Sequence, residues 1–224
     1  MNRIVAGCCA VVFMCPFVGE TAENTPAAVP PELSGNFASP DGASVEVYQS
    51  APDEFLLNVD DPGVAQIELT VRGKQNASPV AMRAITQFGE APLQLVGEGA
   101  ELYGRTEVAG KSLEFLVDAQ GHVRTSVDGQ LVKDPATSTE IEAGLVAEDF
   151  AATWTAMRTM AITIAPDGVS VRGASTPGST QRVDRAFSRI AALTDEQRNT
   201  MAQVDTERRV AVGQVKAFRK DLAK

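Results

Sequence analysis

The sequence predicts an α+β protein: an antiparallel β-sandwich or β-barrel of about eight or nine short strands, then a helix, a β-hairpin and a C-terminal helical pair. Three observations predict it. Between residues 33 and 133, apolar and polar residues alternate in short runs, broken by turn-forming residues at intervals of about eight to twelve. After "KDPATS" the apolar period lengthens to that of a helix. From Val183 to Leu222, twelve positions follow a four-three spacing and nine of them are apolar, the pattern of a coiled-coil seam or helix hairpin.

The chain starts with Arg3 and an apolar run from Ile4 to Val18. The run suits a signal h-region and falls short of the ~20 residues that span a bilayer. Pro16 breaks any helix, and Gly19, Thr21 and Ala22 offer small residues for cleavage, so residues 1–22 read as a signal peptide. Val5-Ala6-Gly7-Cys8 also resembles the lipobox of bacterial lipoproteins, in which Cys8 would be acylated; the apolar run continues past Cys8, which favours simple cleavage. All three cysteines, Cys8, Cys9 and Cys15, lie in this segment. A processed chain therefore has no disulfide, no thiol chemistry and no Cys metal site. The Pro/Ala/Thr-rich stretch that follows reads as a disordered linker over 23–32. The expected location is periplasmic or secreted.

The β-rich domain is expected over 33–175. "SVEVYQS" alternates through Val45 and Val47, and "EFLLNV" follows. "AQIELTVRG" places Ile67, Leu69 and Val71 on one face. "PLQLVGEG" and "AELYGRTEVAG" continue the series. Leu113, Phe115 and Val117 then share a face, "DAQG" turns the chain, and Val123 and Val127 resume. "PVAMRAITQF" reads both ways, because Met82, Ile85 and Phe88 also suit a helix. A helix near 140–158 is expected from a capping box of Thr139 with Glu142 and an apolar face of Ile141, Leu145, Phe150, Trp154 and Met157. Trp154, the only tryptophan, is read as a core anchor. "MAITIAPDGVSVRG" returns to alternation around Pro166-Asp167-Gly168, a hairpin.

The basic tail, 181–224, is read as two helices, 180–192 and 195–222. The break falls near Leu193 because Thr194 with Gln197 makes a capping box and Asp195-Glu196 suits the positive end of a new helix. Thr194, Gln197 and Arg208 would put polar layers in a long seam, so the helices should fold back within one chain. Phe187, Ile190, Val215 and Phe218 are then buried, and the protein is a monomer. The start of the second helix, "LTDEQ", resembles the LTxxQ motif of the Spy-like periplasmic chaperones, which are small, helical and exported. The resemblance spans Leu193 to Gln197, and it implies a chaperone or stress-response role acting through the C-terminal helices.

Charge divides the chain. Residues 20–150 carry 22 Asp/Glu against 7 Lys/Arg, whereas residues 151–224 carry 7 against 12. An acidic front repels phosphate and argues against nucleic acid as partner. The basic tail pairs with the acidic domain of its own chain, or meets an anionic membrane surface peripherally, or binds another protein.

Catalytic motifs were sought and rejected on spacing. "GRTEVAGKS" leaves five residues between Gly104 and Gly110 where a phosphate loop has four, and a strand follows Lys111 instead of a helix. Asn58, Asp60 and Gly63 imitate the start of a calcium loop, but Leu69 stands where the bidentate Glu belongs. His122 is the sole histidine, which rules out zinc sites built on several histidines. Asp118, His122 and Ser126 fall on a hairpin and its turn, without a nucleophile elbow. No catalytic, cofactor or metal residue is assigned. The functional expectation is an exported, bacterial-type cell-envelope protein that is not an enzyme and binds a small apolar ligand within the β domain or a protein partner. The alternatives are the chaperone role and a metal-dependent or carboxylate-based hydrolase.

Overall fold

The computed structural model describes residues 32–60, 66–174 and 180–222. The signal reading, the linker reading except for Glu32, and Gly63 of the calcium-loop imitation fall outside these residues. Thirteen strands and two helices follow one another in the order β1 (Gly35–Ala38), β2 (Ser44–Ala51), β3 (Glu54–Asp60), β4 (Ile67–Arg72), β5 (Pro79–Phe88), β6 (Ala91–Glu98), β7 (Glu101–Val108), β8 (Lys111–Val117), β9 (Val123–Val127), β10 (Gln130–Leu131), α1 (Ser138–Arg158), β11 (Ala161–Ile164), β12 (Gly168–Ala174), β13 (Arg182–Ala191) and α2 (Asp195–Leu222).

All thirteen strands form one antiparallel sheet in the order β10-β9-β8-β7-β6-β5-β4-β3-β2-β1-β13-β12-β11. The first ten make an uninterrupted meander, and β13 returns to pair with β1. The α+β class stands; the sandwich and the closed barrel do not, because there is one sheet and it is open. The first ten strands also exceed the expected eight or nine. The edge strand β11 bends towards the far side: Ala77, before β5, and Ile162 exchange backbone hydrogen bonds of 2.9 and 2.7 Å. Strands seven places apart in the order can meet only if the sheet curls. Its concave face carries the main core, including Phe37, Val47, Phe55, Leu57, Leu93, Leu95, Leu102 and Phe115. This face is the one on which Ile67, Leu69 and Val71, and Leu113, Phe115 and Val117, were expected to lie together.

α1 is set into the concavity. Its capping box forms two residues earlier than expected: the Glu140 backbone N–H donates to Thr137 Oγ1 at 3.2 Å, and the Glu140 carboxylate accepts from the Thr137 N–H at 2.9 Å. The buried face also differs. Ala143, Ala147, Trp154 and Met157 are buried, while Ile141 and Leu145 stand 50% and 59% exposed. Alanines let the helix axis approach the sheet closely, and two glycines make room for large rings. A Cβ at Gly97 would lie 2.7 Å from the Trp154 ring, and one at Gly104 would overlap Phe115.

Residues 180–192 are not a helix. Val183 and Phe187 stand four apart, a spacing that period 2 satisfies as well as period 3.6, and pairing of β13 with both β1 and β12 decides for the strand. Ile190, an odd number of residues from Phe187, consequently lies on the outer face and is 67% exposed rather than buried. "PVAMRAITQF" resolves likewise into β5, and Ile85 points outward, 54% exposed.

α2 lies across the convex face. Thr194 and Gln197 form the anticipated capping box, with hydrogen bonds of 3.0 and 3.1 Å. The Gln197 amide also donates to Glu46 at 2.8 Å and to Asn36 at 3.1 Å, so the cap residue fastens the helix to β2 and β1. Met201, Val212 and Val215 are buried, the latter two with Val96, Tyr103 and Leu116, and Phe218 packs at the margin. Basic side chains of the helix meet acidic ones of the sheet: Arg209 with Glu54, Lys216 with Glu98, and Arg219 with Glu101. The charge asymmetry of the sequence is thus used, in these pairs, inside the chain.

Candidate ligand cavity

Curling the sheet around α1 leaves a space the side chains do not fill. A cavity of about 390 Å³ lies between the C-terminal end of α1 and two separated parts of the sheet. Val45, Leu57, Val59, Ile67 and Leu69 come from β2, β3 and β4. Ile162, Val169, Val171, Val183, Arg185 and Phe187 come from β11, β12 and β13. Thr153, Met157 and Met160 line it from the end of α1 and the residues just after it. Twelve of these fourteen residues are apolar, and Arg185 and Thr153 are the exceptions.

Burial is graded along the cavity. Val45, Leu57, Ile162, Val169 and Phe187 are buried and make the floor. Val59, Ile67, Val171, Val183 and Arg185 are only partly buried and make a rim that water reaches. The rim is held by strand register, since Val59 stands opposite Ile67 and Val171 opposite Arg185. Volume and lining fall within the range of small-molecule sites, which are concave and mostly apolar with a few placed polar groups.

Among the described residues the lining contains no Asp, Glu, His, Cys, Ser, Tyr or Lys. Its one hydroxyl, Thr153 Oγ1, donates to the Asp149 carbonyl at 3.0 Å, and no general base stands beside it in that lining.

The residues weighed as chemical candidates are not assembled elsewhere. The His122 imidazole is 3.1 Å from Asp118 in an exposed turn and is itself 74% exposed. Ser126, in contrast, is buried on β9 with its hydroxyl facing Glu114 at 3.5 Å. Gly104 lies within β7 and Lys111 begins β8, and the two-residue turn between these strands has Ala109 at φ 51° and Gly110 at φ 74°, a hairpin geometry. Asn58 and Asp60 lie on β3, where Asn58 donates to Glu46 at 2.9 Å. Among the described residues no three His, Cys, Asp or Glu side chains gather as a metal site would require. No described helix is long and apolar enough to cross a membrane.

The strand pattern predicts a ligand inside the β domain without naming its lining. Alternating Val/Ile/Leu positions identify an inner face; which of them line empty space depends on strands far apart in sequence. The one local signal was Arg185, a charge at an inward position between Val183 and Phe187.

Comparison with family models, curated proteins and solved structures finds no match to this chain.

Proposed function

We propose that this protein is an exported cell-envelope protein that binds a small apolar ligand without chemically transforming it. The observation that carries the reading is the cavity of about 390 Å³ beside the end of α1, whose described lining is apolar at twelve of fourteen positions and holds no acid–base pair. Burying a ligand's apolar surface there supplies binding free energy at ~25 cal/mol per Å² removed from water, less the cost of immobilising it. Export rests on the N-terminal pattern of Arg3 followed by the apolar run to Val18.

The test is titration of the purified protein with N-phenyl-1-naphthylamine, an uncharged probe that fluoresces in apolar surroundings. About one equivalent should bind saturably. Val169→Phe, which fills the floor of the cavity, should weaken binding tenfold or more while the thermal transition remains cooperative. Absence of saturable binding, or binding indifferent to Val169→Phe, refutes the reading. Mass spectrometry of the mature N-terminus tests export: a start near residue 23 supports it, and an intact Met1 in the extracellular or envelope fraction contradicts cleavage.

A further inference from the structure

We infer that the convex face carries a second binding site, a groove between α2 and strands β5–β7 that takes a small aryl carboxylate, with the carboxylate at Arg105. The groove, of about 290 Å³, shares no residue with the cavity on the concave face, and the inference is independent of the apolar-ligand reading above. Strand register builds it. Ile85 on β5, Gln94 on β6 and Arg105 on β7 stand directly opposite one another, and Arg83, Val96 and Tyr103 form the next row on the same outer face. Val96 and Tyr103 are buried and make the floor; Thr206, Val210 and Gln214, about one turn apart on α2, make the facing wall. Two strand spacings of ~4.8 Å put the Ile85 and Arg105 backbones about 10 Å apart, enough for one aromatic ring and its carboxylate laid across β6. At ~30 Å³ per heavy atom, about the share of one water molecule in the liquid, the groove holds about ten heavy atoms.

One end of the groove is apolar. Ile85 and Val210 are 54% and 58% exposed, on different elements, and both line it. A single exposed aliphatic residue is ordinary, but two beside a concave floor form a surface that a ring would cover. The floor stays uncharged: burial first, and then the hydrogen bond to Glu114, push the Tyr103 phenol above its usual range.

The other end is cationic. Among the described residues Arg105 makes no hydrogen bond and no ion pair. The carboxylates around it are engaged by other donors. Glu114, opposite Arg105 on β8, accepts from the Tyr103 hydroxyl at 2.6 Å. Glu207 on α2 accepts from Arg83 at 2.8 Å and from Gln203 at 3.0 Å. Arg83, the other cation of the lining, is held by Glu68 at 2.7 and 2.9 Å as well as by Glu207. Arg105 therefore keeps its planar fork for an incoming carboxylate, which can accept two parallel hydrogen bonds from it.

The experiment titrates isotope-labelled protein with two probes of nearly equal shape, phenylacetate and phenylacetamide, and follows the backbone amide chemical shifts. For a ligand of ~ten heavy atoms a Kd of about 1 mM is expected, with phenylacetate bound about fivefold more tightly than the amide. The amides of Ile85, Gln94, Arg105 and Val210 should shift. Arg105→Gln, a change at an exposed side chain, should bring the two probes to equal affinity and leave phenylacetamide binding unchanged. Val210→Thr should weaken both probes alike, by about threefold. Equal affinity of the two probes for the native protein overturns the carboxylate assignment. Shifts confined to β12 and β13 would place the ring in the concave cavity, and no saturable shift up to about 10 mM would show no site in the groove; either result overturns the inference. Binding of N-phenyl-1-naphthylamine without binding of phenylacetate would leave the cavity reading standing while this one falls.

Discussion

Arg208 is the most deeply buried charged residue among those described. Its side chain is 8% exposed, wedged between α2 and the sheet, with Asp205 at 2.8 Å and Glu54 at 3.6 Å. Arg209 bonds both carboxylates at 2.8 Å, and Arg72 reaches Glu54 at 3.3 Å. Three arginines thus share two carboxylates that are themselves only 11% and 13% exposed. Glu54→Gln leaves those three cations with one carboxylate. Removing one partner of a buried pair costs about 3–5 kcal/mol. Arg72 and Arg209 are 66% and 56% exposed and recover hydration, while Arg208 keeps Asp205, so the lower end, about 3 kcal/mol, applies. Because the cluster joins α2 to β3 and β4, the loss should fall on docking of the helix. Native-state hydrogen exchange read by mass spectrometry should show protection in α2 dropping about a hundredfold, with the amides of β5–β8 nearly unchanged. A fall of less than threefold in α2 would show that the cluster is energetically idle. An equal fall everywhere would show that α2 does not open separately from the sheet.

Two further outcomes follow from single side chains. Gly104→Ala drives a methyl into the Phe115 ring, which is 1% exposed and has nowhere to move, so urea denaturation should show a loss of about 2–3 kcal/mol, partly restored by Phe115→Leu; a change under about 0.5 kcal/mol would refute the close packing. Acid should loosen α2: burial pushes the Asp205 carboxyl up, but hydrogen bonds from Arg208 and Arg209 outweigh it and hold the group below the usual carboxylate range. With the folded value depressed, this contribution is whole above the unfolded pKa of about 3.9 and lost as pH falls through the folded value. Protection in α2, taken relative to the intrinsic exchange rate at each pH, should therefore fall below about pH 4, and Asp205→Asn should flatten that dependence; an unchanged profile in the variant would remove Asp205 as the cause.

The candidate site was legible only in its parts. Alternation in "AQIELTVRG" told which side chains of β4 face inward, and Ile67 and Leu69 do line the cavity. Nothing local told that β4 and β12 would stand on either side of one space. The face of α1 was misjudged for a related reason. Helical spacing of the large apolar residues predicts a core face through Ile141 and Leu145, yet both are exposed, and small alanines meet the sheet where a helix must come close.

What the sequence determined by itself is whatever depends on neighbours a few residues apart. The inner faces of the strands, the hairpins at Ala109-Gly110 and Pro166–Gly168, and the start of α2 at Thr194 and Gln197 all follow from period, turn chemistry and capping. The tertiary structure decided what depends on pairing across long loops: one open sheet instead of a sandwich or barrel, 182–191 as a strand, and Arg185 at the rim of a cavity. Apolar residues four apart serve a strand or a helix equally. The choice passes to whichever partner can satisfy the backbone N–H and C=O groups, and here those partners, β1 and β12, lie on both sides of β13.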